Sequence, residues 1–99
     1  MYGMIGKMIA ATGKRDALLE ILLESVGDMP GCLSYVVHKD VKDPDAIWIS
    51  EAWDSEPSHK ASLQLPAVRA AIAKAKPLIA SFGDYVITEP AGGHGLSKK

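Results

Sequence analysis

Apolar residues are concentrated in four segments of this chain, and in three of them the side chains follow the two-residue period of a strand. The predicted strands are Tyr2 to Ala11, Cys32 to Lys39, Ala46 to Asp54 and Phe82 to Glu89. The residues from Asp40 to Asp45 include Lys-Asp-Pro-Asp, which predicts a polar turn. The second and third strands are therefore expected to form a hairpin.

The segment from Lys14 to Val26 repeats its apolar residues every three to four positions, which predicts an amphipathic helix. Gly27 and the following Pro30 end it. One stripe of this helix consists of Leu18, Ile21, Leu22 and Ser25.

A broken helix is predicted between the third and fourth strands. It begins at Ser55, because Asp54 or Ser55 can cap it and Pro57 falls in its first turn. Leu65 ends this first part, since a residue that precedes proline avoids the helical region. Pro66 then opens a second part, which Pro77 ends or kinks.

The order of elements is therefore strand, helix, strand, strand, broken helix, strand. This order is typical of the split βαβ or ferredoxin-like arrangement, an α+β fold in which helices cover one face of a four-stranded antiparallel sheet. We expect a single domain over residues 1–90 and a glycine-rich tail over residues 91–99.

The predicted strands are apolar on both faces. Val36 and Val37 point to opposite sides of the second strand, and Trp48 lies opposite Ile47 and Ile49 on the third. A sheet with one face in water would alternate more cleanly. A second copy of the chain is the simplest cover for the other face, so we predict a homodimer.

Composition excludes several classes of function. A net charge of -1 argues against nucleic acid and against an anionic membrane as partners. No apolar run reaches the length of a membrane span, and the N-terminus does not have the pattern of a signal peptide. The single cysteine, Cys32, fits a reducing, cytoplasmic location. There is no metal-ligand motif, and we predict neither a metal nor a cofactor.

The candidate chemistry is concentrated between Ala46 and His59. Alternation places Glu51 and Trp53 on the same side of the third strand as Ile47 and Ile49. His59 follows about one turn into the next helix, so it could face Glu51. A carboxylate beside an imidazole can work as a catalytic pair. Glu51 would orient His59, and His59 would be the base that takes a proton from the substrate.

The order of elements and this stretch together resemble the antibiotic biosynthesis monooxygenase (ABM) family. The resemblance rests on Met29-Pro-Gly-Cys32 before the second strand and on Trp48-Ile-Ser-Glu51-Ala-Trp53, followed by His59. It implies a dimeric α+β barrel with a cavity between the helices and the sheet of each protomer. It also implies O₂-dependent oxidation of a small hydroxylated aromatic or quinol without a cofactor, as in the branch of candidate quinol oxygenases.

We accordingly predict His59 and Glu51 as catalytic residues. The predicted substrate-binding residues are Trp48, Trp53, Leu63 and Ile72. The chain contains no asparagine, whereas the better-known anthrone oxygenases and haem degraders of the family use one in the cavity.

Other interpretations remain open at this point. Glu51 and His59 could have only a structural role, tying the strand to the helix, and each tryptophan could simply pack in the core or at an interface. The whole protein could instead bind or degrade haem, with His59 as the axial ligand. It could also be a non-catalytic dimer that binds small ligands.

Overall fold

The computed structural model describes residues 1–24, 26–27 and 29–96. The strands are β1 (Tyr2–Ala10), β2 (Cys32–Lys39), β3 (Ala46–Trp53) and β4 (Ile79–Thr88). The α-helices are α1 (Arg15–Glu24), α2 (Glu56–Ser62) and α3 (Pro66–Ala75), and a short 3₁₀ turn (Lys76–Leu78) precedes β4. The predicted element order is confirmed.

The strands form one antiparallel sheet in the order β2-β3-β1-β4. β1 and β2 run in the same direction with β3 inserted between them, which is the split βαβ topology of a ferredoxin-like α+β fold. The predicted fold class is therefore confirmed. β1 carries Gly3 and Gly6, yet it lies at the centre of the sheet, because pairing on both sides offsets the low strand propensity of glycine.

Two boundaries differ from the prediction. β4 begins at Ile79 rather than Phe82, because the 3₁₀ turn closes at Leu78 and Ile79 then pairs with Ala10. α1 is described only as far as Glu24, and Ser25, which was assigned to its apolar stripe, lies outside the described residues.

The core lies between α1, α3 and the sheet. Leu18 of α1 and Ile47 of β3 are completely buried, and Trp53 is 1% exposed. Leu19, Ile49 and Ala75 are also buried and complete this layer. The apolar stripe of α1 thus packs on the face of β3 that carries Ile47, Ile49, Glu51 and Trp53, as the alternation predicted.

Arg15, the first residue of α1, holds the loop of the β2–β3 hairpin. Its Nη1 donates to the carbonyl oxygens of Asp40 at 3.1 Å, Asp43 at 3.0 Å and Ala46 at 3.4 Å. The guanidinium thus ties α1 to three backbone carbonyls of the loop, two of which, those of Asp43 and Ala46, also accept backbone hydrogen bonds within it.

An apolar row crosses the helix-free face of the sheet. Val36 and Ile5 both lie opposite Ser50, and Ile5 also lies opposite Val86, so the four residues span all four strands. Ile5, Val36 and Val86 are 42%, 45% and 52% exposed. The two-sided apolar character predicted for the strands is therefore present in the fold.

The longest described helices have ten residues, so no helix in this part of the chain is long and apolar enough to cross a bilayer. Pro90 follows β4, and its ring lies where a side chain on Gly3 would project. The described residues that follow, 91–95, are exposed.

Candidate active site

The position of His59 is set by the start of α2. Ser55 is the N-cap, and its Oγ accepts a hydrogen bond from the backbone N–H of Ser58 at 3.3 Å. Pro57 occupies the first turn, where the missing N–H has no intrahelical partner to lose. The helix thus begins directly after β3 and turns His59 back over the strand.

Gly31 allows β2 to begin against this helix start. Its φ of 84° lies in the left-handed region, and its carbonyl accepts from the N–H of Asp54 at 2.8 Å. A Cβ at this position would lie 2.6 Å from Oγ of Ser58 and 2.8 Å from Oδ1 of Asp54. The Pro-Gly-Cys segment is therefore built around a residue that must be glycine.

Glu51 and His59 meet. Oε1 of Glu51 lies 3.8 Å from Nε2 of His59, and the two side chains are only 13% and 15% exposed. The separation is an ion-pair distance for a protonated imidazole and is longer than a hydrogen bond. The carboxylate is thus placed to stabilise the positive charge that His59 acquires when it takes a proton.

Trp53 holds the same carboxylate oxygen. Its indole N–H donates to Oε1 of Glu51 at 2.9 Å, and its ring meets the His59 ring edge-on at a centroid distance of 5.4 Å. Trp53 is only 1% exposed, so its ring forms a fixed part of the site wall and its indole N–H acts as a hydrogen-bond donor.

Tyr2 closes the other side of the imidazole. Its ring centroid is 5.4 Å from that of His59, with the planes tilted by 34°. Burial, and then the negative charges of Glu56 and Glu51, raise the pKa of the Tyr2 hydroxyl. Tyr2 was not among the predicted site residues. No signal in the sequence indicates its role, because it lies opposite Trp53 only through the pairing of β1 with β3.

A cavity of about 520 Å³ lies between the sheet and the helices α2 and α3. Its wall includes Glu51, Trp53, His59, Leu63 and Ile72, all of which were predicted as site residues. Most of the remaining wall is apolar and comes from Met8, Leu22, Met29, Ile49, Val68, Ala71, Ala75, Ile79, Ala80 and Phe82. The cavity is large enough for a flat aromatic ligand.

Tyr35 adds a hydroxyl to the same wall. It lies directly opposite Glu51 in the β2–β3 register and lines the cavity. Burial, with a smaller contribution from the charge of Glu51, raises the pKa of its phenol. It therefore stays protonated and can donate to a ligand oxygen.

A second hollow of about 440 Å³ adjoins the first one. The two share Met8, Ile49, Glu51 and Phe82, so Glu51 faces both. Tyr85, which is 70% exposed, lines its outer side.

Trp48 was predicted to bind substrate, and the structure places it outside the cavity. It lies on the helix-free face of the sheet and does not line the cavity. Its indole N–H donates to Oδ2 of Asp40 at 2.9 Å, and Nζ of Lys7 lies 5.5 Å from the ring centroid. Side chains on a strand alternate, so Trp48 and Trp53 cannot share a face.

Within residues 1–24, 26–27 and 29–96, no group of three or more His, Cys, Asp or Glu side chains is placed to hold a metal ion. The fold and the cavity together define a small α+β protein with a largely apolar cavity and a carboxylate–imidazole pair in its wall.

Comparison with known proteins places this chain in a family. The sequence profile described as "Antibiotic biosynthesis monooxygenase" (ABM) matches residues 1–74. A crystal structure from Chloroflexus aurantiacus J-10-fl, named as a candidate antibiotic biosynthesis monooxygenase, is 61% identical with a TM-score of 0.94. The match covers 97% of this chain and 98% of that one. The chain belongs to the antibiotic biosynthesis monooxygenase family.

More distant structures share the fold. One from Deinococcus radiodurans is 24% identical with a TM-score of 0.77, covering 99% of this chain and 100% of that chain. Another from Nitrosomonas europaea is 19% identical with a TM-score of 0.80, covering 93% and 100%. No curated protein sequence is significantly similar to this one.

Proposed function

We propose that this protein is a cofactor-independent monooxygenase that oxidises a small hydroxylated aromatic compound or quinol with O₂. One observation carries the proposal: the pair formed by Glu51 and His59 lies in the wall of a largely apolar cavity of about 520 Å³. The family name and the likeness to the Chloroflexus protein support the same class of reaction. The lone Cys32 supports a cytoplasmic site of action.

In this proposal His59 is the base. It removes a proton from a phenol or from the acidic carbon of an anthrone, and Glu51 stabilises the imidazolium that forms. Trp53 and Tyr2 hold the imidazole between two rings, so that its orientation is fixed before the substrate enters. Tyr35 donates to the oxygen on which negative charge develops.

The deprotonated substrate is electron-rich and passes one electron to O₂, after which the two radicals combine into a peroxide. The imidazolium of His59 returns its proton to this peroxide, and loss of water then leaves one oxygen atom on the substrate. The CH₂ group of an anthrone thus becomes a carbonyl group. The other oxygen atom of O₂ is released as water, and all the electrons that reduce O₂ come from the substrate. The apolar wall contributes by keeping the radical pair away from bulk water.

We also propose that the protein is a homodimer whose subunits pack through the helix-free face of the sheet. The exposed row formed by Ile5, Val36 and Val86 supports this, since a monomer would leave it in water. A second copy has the same row and is its simplest complement.

Oxygen uptake tests the proposed reaction. Purified protein freed of metal by chelation is given a panel of quinols and anthrones beside His59→Ala. Loss of the base is expected to lower protein-dependent uptake by a factor of about ten or more, or about 1.4 kcal/mol of transition-state stabilisation.

His38→Ala is the matched control, because His38 contacts Ser50 at 3.3 Å on the helix-free face and lies outside the cavity. Its uptake is expected to equal that of the unchanged protein. Absence of uptake on every substrate, or equal rates for both alanine variants, would refute base catalysis by His59 and favour ligand binding without turnover.

A further inference from the structure

One cation contributes to the cavity wall. Lys76 follows α3 directly and lines the cavity that contains Glu51 and His59. Lys74, two residues earlier, pairs with Glu24 at 3.9 Å. Among the residues that the structure describes, Lys76 has no carboxylate within ion-pair distance. Its ammonium is therefore available to a ligand.

Lys76 and the catalytic pair lie at opposite ends of the cavity. Ile79, three residues after Lys76, pairs with Ala10 of β1, whereas Glu51 pairs with Met4. Six residues of strand separate these levels, on the order of 20 Å of backbone. The long, flexible side chain of lysine covers part of that distance.

The wall between these two ends is apolar. Ile49, Ile72 and Ala75 contribute to it from β3 and α3. A ligand that fills the cavity thus meets a proton acceptor at one end, a hydrocarbon surface along its length and a positive charge at the other end.

We infer that the substrate is an elongated aromatic acid, with its hydroxyl at His59 and an anionic group at Lys76. This assignment rests on the proposed function, since it takes the cavity as the site of an aromatic substrate. Lys76 is then a specificity-determining residue: it selects anionic substrates and fixes which end reaches the base.

Binding of two matched probes tests this without turnover. The probes are 1,8-dihydroxyanthraquinone and 4,5-dihydroxyanthraquinone-2-carboxylate, which share the three-ring hydroxylated frame and differ by one carboxylate. Their affinities are measured by titration calorimetry at low ionic strength for the unchanged protein, Lys76→Met and Lys74→Met. Methionine is one heavy atom shorter than lysine, and it keeps an unbranched apolar stem while removing the charge.

Lys76→Met is expected to weaken binding of the carboxylate probe about fivefold and to change binding of the neutral probe less than twofold. The effect is modest because the charge is solvent-exposed, and it shrinks as salt is added. Lys74→Met is expected to leave both affinities within twofold of the unchanged protein.

Equal losses for both probes in Lys76→Met would overturn the inference, since they would indicate packing rather than charge recognition. An equal loss of affinity for the carboxylate probe in Lys74→Met would also overturn the inference, since it would indicate attraction by the overall surface charge rather than by Lys76. An unchanged affinity of the carboxylate probe in Lys76→Met overturns it as well. If neither probe binds the unchanged protein, the aromatic-binding role of the cavity fails together with this inference. Oxygen uptake tests the reaction separately.

Discussion

The indole N–H of Trp53 donates to the Glu51 oxygen that faces His59, across 2.9 Å. The two residues lie on the same face of β3, one pleat apart, so the strand itself fixes this contact. The carboxylate is thereby held in place by a donor that is itself buried. The candidate catalytic pair therefore depends on a third residue that only borders the cavity.

Replacing Trp53 with phenylalanine is expected to damage both the fold and the reaction. The variant Trp53→Phe leaves Glu51 without its donor in a half-buried site, which is expected to cost about 2 kcal/mol of unfolding free energy. Oxygen uptake is expected to fall about tenfold, because the carboxylate is no longer fixed beside His59. Urea unfolding, monitored by far-UV circular dichroism, measures the loss of stability. Oxygen-uptake assays measure the loss of rate.

Trp48→Phe is the matched control for that variant. It removes a similar indole–carboxylate hydrogen bond of 2.9 Å, to Asp40, but on the helix-free face. Oxygen uptake per folded protein is expected to stay within twofold of the unchanged protein. A loss as large as that of Trp53→Phe would show that the rate follows overall stability and not the position of Glu51.

Gly31→Ala is expected to destabilise the protein by about 2–3 kcal/mol. About 1 kcal/mol comes from the positive φ, and the rest from overlap of the new methyl group with Ser58 and Asp54. Gly13→Ala separates the two causes. Gly13 has a φ of 76° but nothing within 4 Å of its Cβ position, so about 1 kcal/mol is expected there. If the two variants lost equal amounts of unfolding free energy, the overlap with Ser58 and Asp54 would not contribute.

A carboxylate on the helix-free face is expected to separate the proposed homodimer. Val86→Glu would bury an unpaired charge in the interface, raising the dimer dissociation constant roughly a hundredfold or more. Val41→Glu adds the same charge on a hairpin loop where the side chain is 97% exposed, and should leave the dimer intact. Sedimentation velocity measures both. A monomeric unchanged protein, or a Val86→Glu variant that stays dimeric, would contradict this interface.

Asp40 gives the fold a pH dependence in acid. Hydrogen bonds from the Trp48 indole, and then from the backbone N–H groups of Asp43 and Lys42, lower the pKa of its carboxyl to about 2. The unfolded chain binds the proton more tightly, with a pKa of about 3.9. The stabilisation from Asp40 is therefore complete above about pH 5 and is lost as the pH falls towards 2.

The variant Asp40→Asn tests this direction of the pH dependence. The free energy of unfolding of the variant is expected to lie below that of the unchanged protein at neutral pH, with the gap closing as the pH falls through that window. Urea unfolding by circular dichroism at several pH values measures the gap. A gap that stayed constant with pH would rule out the carboxylate as its cause.

Much of the fold follows from local pattern. The alternation in Ala46 to Trp53 and the cap at Ser55 place Glu51, Trp53 and His59 on one side of the sheet, and the structure has them there. The position of Trp48 on the other face also follows from alternation. Alternation allows only one of the two tryptophans to line the cavity, and the structure shows that it is Trp53.

Other parts of the site depend on contacts that sequence spacing does not encode. Tyr2 reaches His59 only because β1 pairs with β3, so that residues far apart in the chain become neighbours. Nothing in the sequence around Lys76 indicates that this residue lines a cavity. The early start of β4 likewise depends on pairing with Ala10.

The side chain of Arg15 determines what the hairpin loop can tolerate. Loops of this kind are usually the positions where insertions and grafted peptides are accepted most readily. Here the carbonyls of Asp40, Asp43 and Ala46 all converge on one guanidinium from another element. The loop from Asp40 to Asp45 is therefore a poor site for engineering, because lengthening it would detach the hairpin from the helix that it helps to seat.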